Sequence, residues 1–212
     1  MIHSLYHADG NTRSICSNDW MQVLSDGGFK AAIFDCDGTL VRSEHEHFAS
    51  FVSAVGAQGH VMDAAWYNSR TGLDRSSILN AFAQEFQLEM SVDQAISDSI
   101  SAFIQRSHNV GPIAETVALV RNLQGVLPMA VGTNAERDVA LASLRAVGIV
   151  DAFDHVISIS DDVRPKPTPD IFALGASSLR VAASDVIVFE DSPQGVKAGL
   201  KAGMSVIEVL DT

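Results

Sequence analysis

Five short, largely apolar runs punctuate the chain, at positions 31–34, 127–131, 156–159, 186–189 and 206–209. They are rich in Val and Ile and do not alternate with polar residues, which is the pattern of strands covered on both faces. Helical periodicity fills most of the intervals between them. Strand–helix alternation of this kind predicts an α/β fold, a Rossmann-like doubly wound parallel sheet. In such sheets the ligand site lies beyond the carboxyl ends of the strands. Asp35, Thr133 and Asp191 each follow a run and are expected at one crevice.

Residues 43–108 break the rhythm, carrying no strand pattern. Ser43 and Glu46 have the spacing of a capping box ahead of Phe48, Phe51, Val52 and Val55, which fall at i, i+3, i+4 and i+7. A second helix carries Ile78, Leu79, Phe82 and Phe86. Ser91 and Gln94 form another box pattern ahead of Ile96, Ile100, Phe103 and Ile104. "NVGPI" at 109–113 ends the helical run. The expected division is an N-terminal extension at 1–28, a core of 29–42 and 109–212, and an inserted α-helical cap at 43–108 over the strand ends. Within the extension, "SNDWMQVLSDGG" predicts one short helix packed on the core, and His3 and His7 read as part of a solvated tail.

Composition narrows the partners. The chain has 212 residues, 47% of them hydrophobic, and a formal net charge of -12. That supports a sizeable core and argues against nucleic-acid and anionic-membrane surfaces. A small anionic substrate remains compatible, because a few placed cations and a metal reverse the sign locally. Two cysteines, Cys16 and Cys36, are too few for a disulfide framework. No segment approaches the roughly 20 apolar residues of a membrane span, and the first 20 residues lack a signal-peptide pattern. The expectation is a cytoplasmic monomer.

Four stations at strand ends carry the candidate chemistry. "DCDGTLV" presents Asp35, Asp37 and Thr39. "AVGTN" presents Thr133 and Asn134, the latter placed to cap the next helix. "RPKPTPD" presents Lys166 between stiffening prolines, and "VIVFEDSPQG" presents Glu190 and Asp191. Taken singly, each residue has a bland reading: a turn aspartate, a solvated lysine, a strand-end hydroxyl. Cys36 is turned away from its flanking aspartates by strand alternation. His45 and His47 of "SEHEH" do not share a helix face.

Taken together and in order, these motifs resemble the four motifs of the haloacid dehalogenase superfamily. With a helical insertion directly after the first, the chain resembles the subfamily of β-phosphoglucomutase and many small sugar phosphatases. "LPMAVGTN" and "VIVFEDSPQGVKAGLKAGM" are similar to stretches of bacterial fructose-1-phosphate and 6-phosphogluconate phosphatases. The resemblance covers roughly 29–210. It implies Asp35 as nucleophile forming an aspartyl-phosphate, Asp37 as general acid/base, and Thr133 and Lys166 as phosphate-holding residues. It implies Mg²⁺ bound by Asp35, Asp191 and the Asp37 carbonyl with support from Glu190. On the substrate side it implies Thr39, Asn134, Glu44, His47 and Arg75, the last holding a second anionic group.

Within that family, Asp37 argues against carbon–halogen hydrolysis, whose enzymes lack an aspartate there. The only lysines are Lys30, Lys166, Lys197 and Lys201, so the insertion has none for the Schiff base of a phosphonoacetaldehyde hydrolase. The resemblance thus implies a Mg²⁺-dependent phosphatase acting on a small phosphorylated sugar or sugar acid. The alternatives are a β-phosphoglucomutase-like phosphomutase and a non-catalytic sugar-phosphate-binding relative. Arg42 departs from the aspartate many relatives carry at the first linker.

Overall fold

The computed structural model describes residues 1–210. The chain opens with β1 (His3–Ala8) and β2 (Asn11–Cys16), followed by α1 (Trp20–Gly27), β3 (Ala31–Phe34) and the two-residue β4 (Val41–Arg42). Four helices come next: α2 (Glu44–Gly56), α3 (Ala64–Asn68), α4 (Arg75–Glu85) and α5 (Val92–Arg106). After β5 (Gly111–Pro112) the alternation resumes with α6 (Ala114–Leu123), β6 (Met129–Gly132), α7 (Arg137–Ala146), β7 (His155–Ile157) and α8 (Asp170–Leu179). The chain closes with β8 (Val186–Glu190), α9 (Pro193–Lys201) and β9 (Ser205–Leu210).

Seven strands form one sheet in the order β2-β1-β9-β8-β3-β6-β7. Its five C-terminal members, β9 to β7 in that order, are parallel, and β1 and β2 add on antiparallel. β3 is central, with its two neighbours reached in opposite directions along the sheet. Its carboxyl end is therefore the crevice where ligands bind in such sheets. Every residue of β3, β6 and β8 is buried, as unalternated apolar runs require. Alternate side chains feed two cores, Ala32, Phe34 and Cys36 on one face and Ala31 and Ile33 on the other. Cys36 is fully buried, and burial pushes its thiol pKa well up, so it packs rather than reacts.

Helices α2–α5 surround an apolar cluster of their own, including Phe51, Val55, Tyr67, Leu79 and Phe82. The two connections that lead in and out pair as a short antiparallel ribbon, Val41 with Pro112 and Arg42 with Gly111. Arg42 Nη1 also donates to the Pro112 carbonyl at 3.1 Å.

Three local expectations are corrected. Neither capping box closes. The Ser43 hydroxyl donates to the stronger acceptor Asp37 at 2.6 Å, and Glu46 accepts from Arg106 at 2.6 Å. Ser91 does accept from the Gln94 N–H, but the Gln94 amide turns to Asp98, and the Ser91 N–H goes to Gln58. The extension is also more than a tail with one helix. Asp9 and Gly10, both at positive φ, make the two-residue turn of a hairpin. Its strand β1 covers the edge of β9. His7 sits within that hairpin, between Thr12 and Glu208.

The predicted helix α1 docks through Trp20. That indole is 1% exposed, meets Phe189 edge-on at 5.5 Å, and donates to the buried Ser4 hydroxyl at 3.2 Å. Trp20→Ala should lower stability by about 3–5 kcal/mol, the range for removing a buried large aromatic. Urea unfolding with an unchanged slope and a lower midpoint would register that loss.

Candidate active site

The site begins where β3 stops. Asp35 is buried, its N–H tied to the Phe189 carbonyl at 2.9 Å. Its carboxylate accepts from Lys166 Nζ at 2.5 Å. Lys166 is 4% exposed and reaches Glu190 as well, at 2.6 Å, above the ring of Phe172. Burial pushes the Lys166 pKa down, but Asp35 and Glu190 outweigh it and hold the ammonium well above its usual range. The loop carrying Lys166 is fixed from β6: Asn134 Oδ1 accepts from the Lys166 backbone N–H at 2.8 Å. Asn134 therefore organises the lysine loop rather than capping α7, where Glu136 stands at the N-cap with no side-chain bond to the helix.

Asp191 follows β8 and comes close to the first turn. Gly38 has φ +86°, and a Cβ there would lie 2.2 Å from Asp191 Oδ2. Only glycine satisfies both demands. Thr39, expected beside the substrate, is fully buried, and its hydroxyl donates to Asp191 Oδ1 at 2.9 Å. It positions a carboxylate instead. Glu190 is 1% exposed, with one oxygen on Lys166 and the other accepting from the Ser192 N–H and hydroxyl. Gly195 leaves it room, since a Cβ there would fall 1.9 Å from the Glu190 carboxyl carbon.

Asp35, Glu190 and Asp191 offer oxygens that all lie within 4.8 Å of one another. With only Lys166 among them, the repulsion is uncompensated. Burial and then Glu190 raise the Asp35 carboxyl well above its usual range, against the pull of Lys166. Burial and Glu190 likewise push Asp191 up to about 7. Hard oxygen donors with a deficit of positive charge fit Mg²⁺.

Asp37 has a different environment. Burial pushes its pKa up, but His47, Ser43 and Arg75 outweigh burial and bring it below the ordinary value. His47 Nε2 lies 3.0 Å from Asp37 Oδ1 and its ring stacks on Phe103 at 4.3 Å between centroids. Thr133 is buried, and its hydroxyl accepts from the Ala135 N–H at 3.0 Å, which leaves its own proton to donate. Arg75, the first residue of α4, is 4% exposed and lies over Phe51. Its Nε–H donates to Glu136 of the core at 3.0 Å.

A cavity of about 350 Å³ opens between the sheet and the helical insertion. Asp35, Asp37, Glu44, His47, Arg75, Thr133, Asn134, Lys166, Glu190 and Asp191 all line it, and Thr39 does not. The insertion is drawn against the core by Arg75–Glu136 and by Asn134 Nδ2 donating to the Gly72 carbonyl at 3.2 Å. Sequence spacing marks Ser43 only as a helix cap and gives no sign of its bond to Asp37, of Glu136 or of the clearance at Gly195. Gly38 and Gly195 stood inside quoted motifs. Glu136 has no local signal, because its partner is 61 residues away.

Two acidic strand ends, one shared lysine and a covered cavity define an α/β protein with a polar site at the carboxyl ends of its central strands. The model of the haloacid dehalogenase-like hydrolases matches residues 29–203; the chain belongs to that family. It is 31% identical over 189 residues to validoxylamine A 7'-phosphate phosphatase of Streptomyces hygroscopicus subsp. limoneus, covering 87% of both chains. It is 28% identical over 184 residues to fructose-1-phosphate phosphatase YqaB of Escherichia coli (strain K12), covering 85% of this chain and 96% of that one. CbbY from Rhodobacter sphaeroides, in complex with phosphate, shares the fold with a TM-score of 0.79 and 22% identity, over 84% of each chain.

A carboxyl whose pKa is raised on folding costs stability once ionised. For Asp191 that cost is absent below its ordinary 3.8 and complete above about 7. In EDTA, Asp191→Asn should therefore melt higher than the wild type at neutral pH, with the gap closing as the pH falls towards 4. Mg²⁺ should raise the wild-type Tm and leave that of the variant nearly unmoved. An equal Mg²⁺ shift in both proteins would remove Asp191 from the metal's ligands.

Proposed function

We propose that this protein is a Mg²⁺-dependent phosphatase of a small phosphorylated sugar or sugar acid, working through an aspartyl-phosphate on Asp35. The observation that carries the reading is the difference between the two acids of "DCD". Asp35 lies against Lys166, Glu190 and Asp191, while Asp37 is held by Ser43 and His47 from the insertion side. Two carboxylates with separated environments suit two roles.

In the first half-reaction an Asp35 oxygen attacks phosphorus, and the bond from phosphorus to the sugar oxygen breaks. The free site holds Asp37 ionised, so Asp37 must first take up a proton from solvent as the substrate binds; it then gives that proton to the leaving oxygen. In the second, the Asp37 carboxylate takes a proton from water. The water oxygen bonds to phosphorus, and Asp35 departs as a free carboxylate. Lys166 and the Thr133 hydroxyl hold the phosphoryl oxygens, and backbone N–H groups after Asp35 add to them. Mg²⁺, bound by Asp35, Asp191 and the Asp37 carbonyl, would neutralise charge on the transferring group. Glu190 acts through Lys166, which it keeps charged and in place.

Residues 43–108 serve as the cap. A core largely their own, apart from Phe103 and Ile100 of α5 on the main one, and the paired β4–β5 connection support this reading, and the cavity beneath is of the size that takes a small metabolite. The names of the two relatives, a validoxylamine A 7'-phosphate phosphatase and a fructose-1-phosphate phosphatase, support a sugar phosphate as substrate.

Asp35→Asn should lose at least about 10³-fold in turnover while keeping its Tm, since it removes the nucleophile and relieves repulsion. The assay is phosphate release from a panel of sugar phosphates with and without Mg²⁺. Undiminished release by the variant would sink the mechanism. Isomerised sugar phosphate without release by the wild type would place the chain with the phosphomutases.

A further inference from the structure

The cavity is acidic at both ends. Among the described residues six carboxylates line it, Asp35, Asp37, Glu44, Glu136, Glu190 and Asp191, against the cations Lys166 and Arg75. Lys166 is committed to the phosphate end by Asp35 and Glu190. Arg75 is the remaining cation, and it is committed too: Glu136 accepts from its Nε–H at 3.0 Å. The Arg75 side chain is 3% exposed and that of Glu136 16%, so the pair is only weakly screened by solvent. Arg75 Nη1 is buried and, among the described residues, has no hydrogen-bond partner.

These facts set what the leaving-group end accepts. A hydroxyl meets carboxylate acceptors on Glu136 and Glu44 and a donor on Arg75. A second phosphate or a carboxylate meets Glu136 next to the one cation that would receive it. Glu136 already answers the guanidinium there, so the pair offers an incoming anion no net positive charge to offset its desolvation. We propose that Glu136 is a specificity-determining residue: by occupying Arg75 it selects phosphomonoesters whose leaving group is an uncharged polyol, and it rejects bisphosphates and sugar-acid phosphates. The proposal rests on the phosphatase reading above and narrows it. It also reverses the expectation that Arg75 holds a second anionic group. The arginine is present, but its charge is already answered from the core.

The test uses two matched pairs, fructose 1-phosphate with fructose 1,6-bisphosphate and glucose 6-phosphate with 6-phosphogluconate. For each, kcat/KM is measured with Mg²⁺ for wild type, Glu136→Gln and the double variant Glu136→Gln/Arg75→Gln. The wild type should favour the uncharged member of a pair by at least about 10-fold, a typical discrimination for one mismatched buried group. Glu136→Gln should shift that ratio towards the charged member by about 10-fold or more, and the double variant should reverse the shift. A residue that merely ties cap to core would move both members of a pair together, and that outcome overturns the proposal. So does a wild type indifferent to the second charge, or a ratio that Glu136→Gln leaves in place. Failure of the wild type to release phosphate from any ester would instead overturn the phosphatase reading itself, and this proposal with it.

Discussion

One buried ammonium holds the site together. Lys166 Nζ sits between Asp35 and Glu190 at 2.5 and 2.6 Å, and burying the ammonium with no carboxylate partner, or the two carboxylates without it, would be strongly unfavourable. Much of the surrounding sequence serves that contact. Asn134 sets the lysine loop, Phe172 lies beneath the ammonium, and Ser192 takes the second oxygen of Glu190. Gly195 and Gly38 are bare so that Glu190 and Asp191 can approach. The arrangement still leaves more negative than positive charge, and that deficit is the source of the site's chemistry. A divalent cation and a phosphoryl group that is losing its bond are what such a deficit, with its lysine and hydroxyl donors, accommodates best.

The sheet explains why residues so distant in sequence meet. Asp35, Thr133 and Asp191 stand after β3, β6 and β8, three adjacent parallel strands in the middle of the sheet. Strand ends are rigid points, and groups placed on them need little reorganisation during reaction. The N-terminal hairpin and α1 brace this centre from one side, with Trp20 against Phe189, the residue before Glu190. The insertion brings the opposite quality. Most of it packs round its own core, with Phe103 of α5 in the main one, and it meets the site through polar contacts such as Arg75–Glu136 and His47–Asp37.

The parallel strands and the four motifs were legible in the sequence because both are local: an unbroken apolar run, then a functional residue within one or two positions. The polar partners were not. Ser43 and Glu46 had the spacing of a capping box, but each had a charged partner elsewhere in the chain, and a charged hydrogen bond outcompetes a cap. The hairpin at 3–16 escaped because β2 is almost wholly polar and exposed at the sheet edge, so it lacks apolar alternation. Its Asp9–Gly10 turn was nonetheless a readable signal. Arg75 lines the cavity, but its pairing depends on the fold bringing Glu136 across from the core. Sequence periodicity carries no such information.

The central claim is that Asp35 forms a covalent bond to phosphorus. Borohydride reduces an acyl phosphate to an alcohol, so trapping the enzyme during turnover of a sugar phosphate with Mg²⁺ should convert Asp35 to homoserine. Mass spectrometry of the peptide containing "AAIFDCDGTLV" would find the change at Asp35 and only when substrate is present. Reduction at another carboxylate, or an unmodified peptide from enzyme that is visibly releasing phosphate, would contradict the account.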